Sequence, residues 1–426
     1  MNERCAVGVI GTGQIGSRMA RRLLQAGYRA VIFDLDAAAM QGMPGAEPAE
    51  SAAAVAARCD LIITCVTDNH AVRDAVLGAG GIIESIRPAH LIIETTTSTP
   101  ATTREVTAAL RHHGADLVDA PVSRGVPAAE NGTLSIMVGG EEASRQRAQP
   151  VLSVLGTDII DTGEVGTGHV AKAMNMMVMA VNFVATMELM HVAESRGISR
   201  AESIAAFAAG PGRSFVVDHH WPRYILPETY DSGFTLGLMW KDLRIASEIA
   251  ADSGQCPLLG ERVTALYRWA AARGLADADN TRLVEFTHDA RAGLAGIAAP
   301  GAERDGLLQQ LGRALYAAVY LGTMEALAVA RAAGLEPKRL LAVLNASSGG
   351  SSMSRGGRDG VPGMAALHRD ARDVALIAME RGDPHFVTGL AAYLLGLARR
   401  DLPDDADDDC IVGWLAHLTG RSGQGA

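Results

Sequence analysis

Residues 5–16 read CAVGVIGTGQIG, and this stretch decides the fold of the N-terminal third of the chain. The apolar run ends at Gly11, Gly13 and Gly16, and residues 17–25 have the pattern of a helix. The predicted order is strand, tight turn, helix. In that order the glycines let the backbone approach a pyrophosphate, which the N–H groups at the start of the helix can bind. The stretch therefore predicts a dinucleotide-binding loop.

A second strand strengthens this prediction. It is expected over residues 30–33 and ends in Asp34, eighteen residues after Gly16. A carboxylate at this position accepts hydrogen bonds from ribose hydroxyls and repels a 2′-phosphate. NAD is therefore the predicted cofactor, and NADP is less favoured. The alternative is a structural glycine turn with the Asp34 side chain in solvent.

Two further strands are predicted over residues 61–66 and 91–94, and polar residues follow each of them. In a parallel sheet a ligand lies beyond the carboxyl ends of the strands, so these residues are candidate cofactor contacts. Capping of the next helix is the alternative role for any one of them. The predicted cofactor contacts in this third are Gly11, Gly13, Gln14, Ile15, Gly16, Asp34, Val66, Thr67 and Thr97.

Length and composition indicate the architecture and the partners. The chain has 426 residues, too many for one ordinary core, and it is 48% hydrophobic but only 4% aromatic, which favours helices packed through aliphatic side chains. The predicted fold class is an α/β Rossmann domain, with a doubly wound and mostly parallel sheet, followed by all-α structure. A net charge of −10 without a basic cluster argues against nucleic acid or an anionic membrane as a partner.

The cysteines and the apolar segments predict a cytoplasmic location. Five cysteines are scattered without metal-ligand spacing, and their odd number argues against a disulfide framework. The start, MNERCAVGVI, lacks the features of an export signal. Residues 173–187 are apolar but fall short of the roughly 20 residues of a membrane span, so they predict a buried helix.

Four blocks of sequence, taken in order, resemble the β-hydroxyacid dehydrogenase family, which includes 3-hydroxyisobutyrate dehydrogenase and is related to 6-phosphogluconate dehydrogenase. The resemblance runs from about residue 5 to about residue 290. The blocks are GTGQIG (11–16) with Asp34, DAPVSRG (119–125) with GTLSIMVGG (132–140), GTGHVAKAMN (166–175), and LGLMWKDLRIA (236–246).

The resemblance implies a Rossmann domain over residues 1–165 and a helical domain over residues 166–292, with the active site between the two. It implies reversible oxidation of a small 3-hydroxy carboxylate to the semialdehyde or keto acid. It makes Lys172 the general acid/base, places Asn175 beside it, and puts Lys241 near the nicotinamide and the substrate. Because Lys172 must accept the hydroxyl proton, its pKa has to fall toward neutrality. Ser123 and Gly125 are implied to bind the substrate carboxylate.

The chain departs from the family pattern at three positions. Met176 stands where the family has a second asparagine. Arg124 replaces the first glycine of a Ser-Gly-Gly loop, so its guanidinium either binds a second anionic group on the substrate or turns to solvent. Met179 stands where 6-phosphogluconate dehydrogenases carry a glutamate, which makes decarboxylation of a sugar acid an unfavoured prediction.

The last third resembles a second, degenerate copy of the helical domain, predicted over residues 307–426 after an Ala/Gly/Pro linker at 291–306. At the position equivalent to Lys172 it has Gln309, and at that equivalent to Asn175 it has Gly312, so the catalytic pair is lost. The expected state is a monomer with an internal pseudo-dimer, or a homodimer. The repeated residues are Thr186-Met187-Glu188 with Thr323-Met324-Glu325, Gly197 with Gly334, Lys241-Asp242 with Arg369-Asp370, and Gly254 with Gly382.

Two other functions stay open at this stage. An imine reductase would use the same scaffold, but those relatives typically lack the lysine that this chain has at position 172. A dinucleotide-binding regulatory protein without turnover is conceivable because of the degenerate repeat and Met176. The leading prediction is a dehydrogenase or aldehyde reductase with a small anionic carboxylate substrate.

Overall fold

The computed structural model describes residues 4–288, 301–356, 361–403 and 405–419. These residues form two compact units, one drawn from residues 1–173 and 333–346, the other from residues 174–332 and 347–426. The predicted linker at 291–306 is wrong at its end, because residues 301–306 are already helical. Its remaining residues lie outside the described ranges.

A nine-stranded sheet forms the centre of the first unit. Its strand order is β3-β2-β1-β4-β5-β6-β8-β7, with β9 also paired to β8. The first six strands of this order are parallel, as predicted for a dinucleotide-binding fold, and β8 runs antiparallel to β6 and β7. The strands are β1 Arg4–Ile10, β2 Tyr28–Phe33, β3 Ala46–Pro48, β4 Leu61–Thr64, β5 Leu91–Glu94, β6 Asp116–Asp119, β7 Val122–Ser123, β8 Leu134–Gly139 and β9 Gly156–Gly163.

Helices cover both faces of the sheet, which is why the central strands β1, β4 and β5 are mainly apolar. On one face Val9 packs in a core with Leu23; on the other, Ile10 packs with Val55 and Ile62. The helices of the chain are α1 Gly16–Gln25, α2 Ala52–Ala56, α3 Asn69–Leu77, α4 Pro100–Arg111, α5 Gly125–Asn131, α6 Glu142–Leu155, α7 Thr167–Ser195, α8 Arg200–Ala209, α9 Leu236–Asp252, α10 Leu258–Ala270, α11 Leu283–His288, α12 Gly301–Ala332, α13 Pro337–Asn345, α14 Met364–Arg381, α15 Thr388–Asp401 and α16 Asp408–Thr419.

The second unit is built around two long helices, α7 and α12. Helix α7 is long and apolar enough to cross a membrane by composition alone, but its most apolar 18-residue window is entirely buried in the fold. A core helix has the same composition. The prediction of a buried helix over residues 173–187 is confirmed.

A buried carboxylate on each long helix binds the start of another helix in this unit. Glu188 accepts hydrogen bonds from the backbone N–H groups of Val387 and Thr388, at the start of α15, at 3.0 and 2.9 Å. Glu325 accepts from the N–H groups of Leu259 and Gly260, in the first turn of α10, at 3.0 and 3.2 Å. Each carboxylate satisfies donors that a helix start leaves unpaired.

Burial raises the pKa of Glu325 from 4.5 to about 7, although the N–H groups of Leu259 and Gly260 lower it. The folded protein therefore holds this proton over a pH range in which the unfolded chain has released it. We expect stability to fall by about 3 kcal/mol as the pH rises from about 4.5 to 7, and this contribution to level off above that. Thermal unfolding at pH 5 and pH 7.5 measures the effect.

The matched variants are Glu325→Gln, which cannot titrate, and Glu380→Gln, which removes an exposed carboxylate. The first should make the fall of the unfolding temperature between pH 5 and pH 7.5 smaller, although Glu188 and Asp119, whose pKa values burial also raises, still contribute; the second should leave it unchanged. Equal slopes in wild type and Glu325→Gln would contradict the assignment.

Candidate active site

The three glycines of the dinucleotide loop have different structural roles. Gly11 has φ +91°, and a Cβ there would lie 2.2 Å from the carbonyl oxygen of Cys65. A Cβ on Gly16 would lie 1.9 Å from the carbonyl oxygen of Gly11. Both positions therefore exclude any side chain. Apart from its two chain neighbours, no residue has an atom within 4 Å of a Cβ position on Gly13, so this side of the loop is open to a pyrophosphate approaching the helix start.

Asp34 lies directly after β2 and is fixed by the same loop. Its Oδ2 atom accepts from the backbone N–H of Thr12 at 2.6 Å and from the Thr12 hydroxyl at 3.2 Å. Its Oδ1 atom accepts from the N–H of Asp36 at 3.0 Å. The carboxylate is thus held at the strand end where ribose hydroxyls are expected. With the open side at Gly13, these residues fit NAD.

Replacing Asp34 by asparagine keeps the shape of the side chain and removes the charge that repels a 2′-phosphate. We expect the preference for NADH over NADPH to fall by about 10- to 100-fold, a change of about 1.4 to 2.8 kcal/mol. Dissociation constants for both nucleotides measure it. Asp36→Asn, two residues along, removes a neighbouring carboxylate and is the control; an equal loss of preference in both variants would show a general charge effect.

The other predicted cofactor contacts lie around this loop. Val66 and Thr67 were predicted on and just after a strand, but β4 ends at Thr64, because the Val66 N–H turns to the Thr96 hydroxyl at 3.0 Å. Thr67 and Thr97 do not cap helices: Asp68 caps α3, and Thr99 caps α4. The capping alternative is therefore wrong for these two threonines, and their contact with cofactor stays a prediction, as it does for Gln14 and Ile15.

The predicted carboxylate-binding loop follows β6. Ser123 is almost fully buried on β7, and Arg124 and Gly125 both have left-handed backbones, with φ +82° and +70°. Arg124 thus occupies a conformation that suits glycine, the residue the family has there, at a cost of about 1 kcal/mol.

The Arg124 guanidinium contacts protein groups of the first unit. It donates to the carbonyl oxygen of Ala346, just after α13, at 2.8 and 3.2 Å, and to that of Thr133 at 3.0 Å. It also forms an ion pair with Asp158 at 2.7 Å. These contacts tie the loop to α13, and binding of a second substrate anion by Arg124 stays a prediction.

Sequence reasoning missed a buried charged cluster at the start of α7. Glu94, Asp119 and His169 have no exposed surface. The Glu94 carboxylate lies 2.8 Å from Nε2 of His169, and Asp119 accepts from the backbone N–H groups of Gly166 at 2.7 Å and His169 at 3.1 Å. Burial raises the pKa of Asp119. Burial alone would lower the pKa of His169, but Glu94 raises it above its usual value.

This cluster joins the ends of β5 and β6 to the first turn of α7, the helix that carries Lys172. Lys172 itself is 6% exposed, and Asn175, one helical turn later, has no exposed surface. The signal that could have revealed the cluster is an acidic residue closing each of two apolar strands, Glu94 and Asp119.

The remaining predicted residues belong to the second unit. Asn175 accepts the Gly349 N–H on Oδ1 at 2.9 Å and donates from Nδ2 to the Ser348 hydroxyl at 3.1 Å. Lys241, on α9, is about one quarter exposed, with its Nζ 3.8 Å from Oδ1 of Asp242.

A Rossmann sheet with a glycine loop and an acidic strand end, joined to helices that bear a buried lysine, defines an NAD-dependent oxidoreductase. Residues 6–166 match the NAD binding domain of 6-phosphogluconate dehydrogenase. Residues 166–287 and 311–415 match the NAD-binding domain of NADP-dependent 3-hydroxyisobutyrate dehydrogenase. The chain belongs to the β-hydroxyacid dehydrogenase family, as the sequence motifs predicted.

Individual relatives agree with this family. A probable mitochondrial 3-hydroxyisobutyrate dehydrogenase of Dictyostelium discoideum is 33% identical over 66% of this chain and 90% of its own length. An NAD-dependent L-serine dehydrogenase of Pseudomonas aeruginosa is 33% identical over 64% and 94%. The solved structure of Mycobacterium tuberculosis 3-hydroxyisobutyrate dehydrogenase with L-serine superposes with a TM-score of 0.63, at 32% identity over 68% and 99%. About one third of this chain lies outside each of these matches.

Proposed function

We propose that this chain oxidises a small 3-hydroxy carboxylate with NAD, in the cytoplasm, and that Lys172 carries the proton. The curated relatives include dehydrogenases named for 3-hydroxyisobutyrate, L-serine and 2-(hydroxymethyl)glutarate. These names share a carboxylate and a nearby hydroxyl group, which is the chemistry that the motifs at Ser123 and Lys172 are expected to bind and transform.

The observation that carries the proposal is the use of lysine. Only three of the 38 basic residues are lysines, Lys172, Lys241 and Lys338, and the others are arginines. Arginine stays charged at every accessible pH, whereas a lysine amine can lose its proton when its surroundings disfavour charge. Two of the three lysines lie at motif positions of the family, and Lys172 is buried. Lys172 therefore provides an amine that can lose its proton at the position where proton transfer is proposed.

In the proposed reaction the Ser123 hydroxyl and the loop at Gly125 hold the substrate carboxylate. The neutral Lys172 amine accepts the hydroxyl proton, and in the reverse direction its ammonium form returns that proton to the carbonyl oxygen. Bound NAD supplies the hydride acceptor. The buried pair of Glu94 and His169 fixes the start of α7 and so helps to hold Lys172 in place.

The test is turnover by the purified full chain with NAD or NADP. The substrates are 3-hydroxyisobutyrate, L-serine, 2-(hydroxymethyl)glutarate and the matching aldehydes. Activity with NAD on at least one of them, at a kcat/KM at least about tenfold above that with NADP, is expected. NAD binding without turnover on the panel or on a set of cyclic imines would favour the regulatory alternative, and turnover of imines alone would favour the reductase.

A further inference from the structure

We propose that the second copy, through its described residues in the second unit (307–332, 347–356, 361–403 and 405–419), packs on the first helical domain as its two-fold partner within one chain, and that its Ser348 and Gly349 position Asn175. The catalytic part of the proposal rests on the proposed function. Ser348 and Gly349 are positioning residues, which act through Asn175 on the helix that carries Lys172.

The helices of the two copies repeat in order. A long helix, a short helix and two helices of middle length occur first as α7, α8, α9 and α10, and again as α12, α13, α14 and α15. The main difference is the segment between the short helix and the next one. The nine-residue difference between the copies falls in this segment, where the first copy has a helical stretch over Val216–Ile225.

Contacts between the two copies occur in pairs that interchange when the copies are exchanged. Ser214 and Ser351, which lie 137 positions apart, form an antiparallel bridge with each other. On one side Phe215 N–H donates to the Gly350 carbonyl at 2.8 Å, and on the other Ser352 N–H donates to the Arg213 carbonyl at 2.9 Å. Ser352 is the equivalent of Phe215, and Gly350 is the equivalent of Arg213, each 137 positions further along the chain. The second hydrogen bond is therefore the first one with the two copies exchanged, as a two-fold axis requires.

The buried carboxylates obey the same exchange. Glu188 and Glu325 are again 137 positions apart, and each binds the helix start of the opposite copy. Those helix starts, Val387-Thr388 and Leu259-Gly260, differ by 128 positions, which is the spacing expected after the nine-residue deletion. The pairing therefore extends from the central bridge to two further contacts.

The exchange breaks at the candidate active site. In one contact the Gly349 N–H donates to Asn175. The equivalent contact, after the copies are exchanged, joins Gly212 and Gly312, and a Cβ on Gly212 would lie 2.9 Å from the Gly312 carbonyl oxygen. The Gly212–Gly312 contact has no side-chain amide, because Gly312 stands at the position equivalent to Asn175. It has no serine hydroxyl, because Pro211 stands at the position equivalent to Ser348. The polar contact is present only where the chain also has Lys172.

The contact orients the amide of Asn175. With Oδ1 on the Gly349 N–H and Nδ2 on the Ser348 hydroxyl, the amide of Asn175, which has no exposed surface, is held in one of its two flip states. Removing the hydroxyl leaves a buried N–H donor without this acceptor, which favours a shift of the side chain and of the helix turn that bears it.

The test compares Ser348→Ala, Ser348→Thr and a control, Ser352→Ala. Ser352 lies in the same loop, and its hydroxyl donates to the Pro211 carbonyl rather than to Asn175. We expect Ser348→Ala to lower kcat about tenfold with an unchanged KM for NAD, Ser348→Thr to restore most of it, and Ser352→Ala to change the unfolding temperature without changing kcat. Equal kcat in wild type and Ser348→Ala would overturn the positioning role.

A second readout does not depend on activity. In protein labelled with ¹⁵N-asparagine, the side-chain NH₂ pair of Asn175 is identified by its loss in Asn175→Ala. Ser348→Ala should shift this pair, and Ser352→Ala should not. An unshifted pair would overturn the contact itself. If wild type turned over no substrate, the proposed function would fail, and the NMR comparison would still decide whether the second copy holds Asn175.

Discussion

Arginine in place of Lys172 is expected to lower kcat about 10³-fold while NAD binding persists. Arginine keeps the positive charge and much of the length of lysine but cannot give up its proton, so the substrate hydroxyl loses its acceptor. A merely electrostatic role would tolerate this change, because the charge remains. Steady-state kinetics and an NADH titration of the same preparation separate the two roles.

The other two lysines supply matched controls. Lys338 is exposed on α13, so Lys338→Arg should leave kcat and the unfolding temperature unchanged. Lys241→Arg should give a smaller loss than Lys172→Arg, because the proposed role of Lys241 near cofactor and substrate needs charge and reach rather than proton transfer. A Lys172→Arg enzyme with more than about one tenth of wild-type kcat would contradict the proton-transfer role.

Removal of residues 301–426 should leave a chain that cannot persist as a soluble monomer. Helix α12 packs against α7 so closely that a Cβ on Gly322 would lie 2.7 Å from a methyl group of Val181. Each Val, Leu, Met or Phe side chain newly exposed costs about 1.5 to 3 kcal/mol, so several of them exceed the 5 to 15 kcal/mol that usually stabilises a fold.

Light scattering after size-exclusion chromatography measures the result, with the full chain as reference. We expect the full chain at the mass of one 44.5 kDa subunit and the truncated chain as aggregate or as a self-associated species. A truncated chain that is monomeric and fully active would show that the second copy is dispensable, and would contradict its role as the internal partner.

Local patterns made much of the first unit predictable. Strands β1 and β2, the loop at Gly11, Gly13 and Gly16, and Asp34 were all found from short stretches. Their features depend on neighbouring residues: an apolar run, a turn that needs glycine, and a strand end. The buried part of helix α7 was predictable for the same reason, because residues 173–187 are uncharged and mostly apolar.

Contacts between residues far apart in sequence were not predictable. From the sequence, the Arg124 side chain was expected either to bind a substrate anion or to turn to solvent. In the structure it donates to the carbonyl oxygen of Ala346, 222 residues away. Glu94 is marked in the sequence only as an acidic residue that closes an apolar strand, and only the meeting of β5 with the start of α7 makes it a buried pair with His169. The sequence cannot reveal such pairs, because the same side chains could equally lie at the surface and form hydrogen bonds with water.

The sequence by itself determined the family, the cofactor loop and the identity of the buried lysine, since each depends on residue types at short, characteristic spacing. Equal offsets between matched residues predicted a repeat of the helical domain. The two-fold pairing that we propose for it rests on tertiary structure alone, because that pairing is a relation among residues more than 100 positions apart. It brought Ser348 and Gly349, which no motif marks, onto the amide of Asn175.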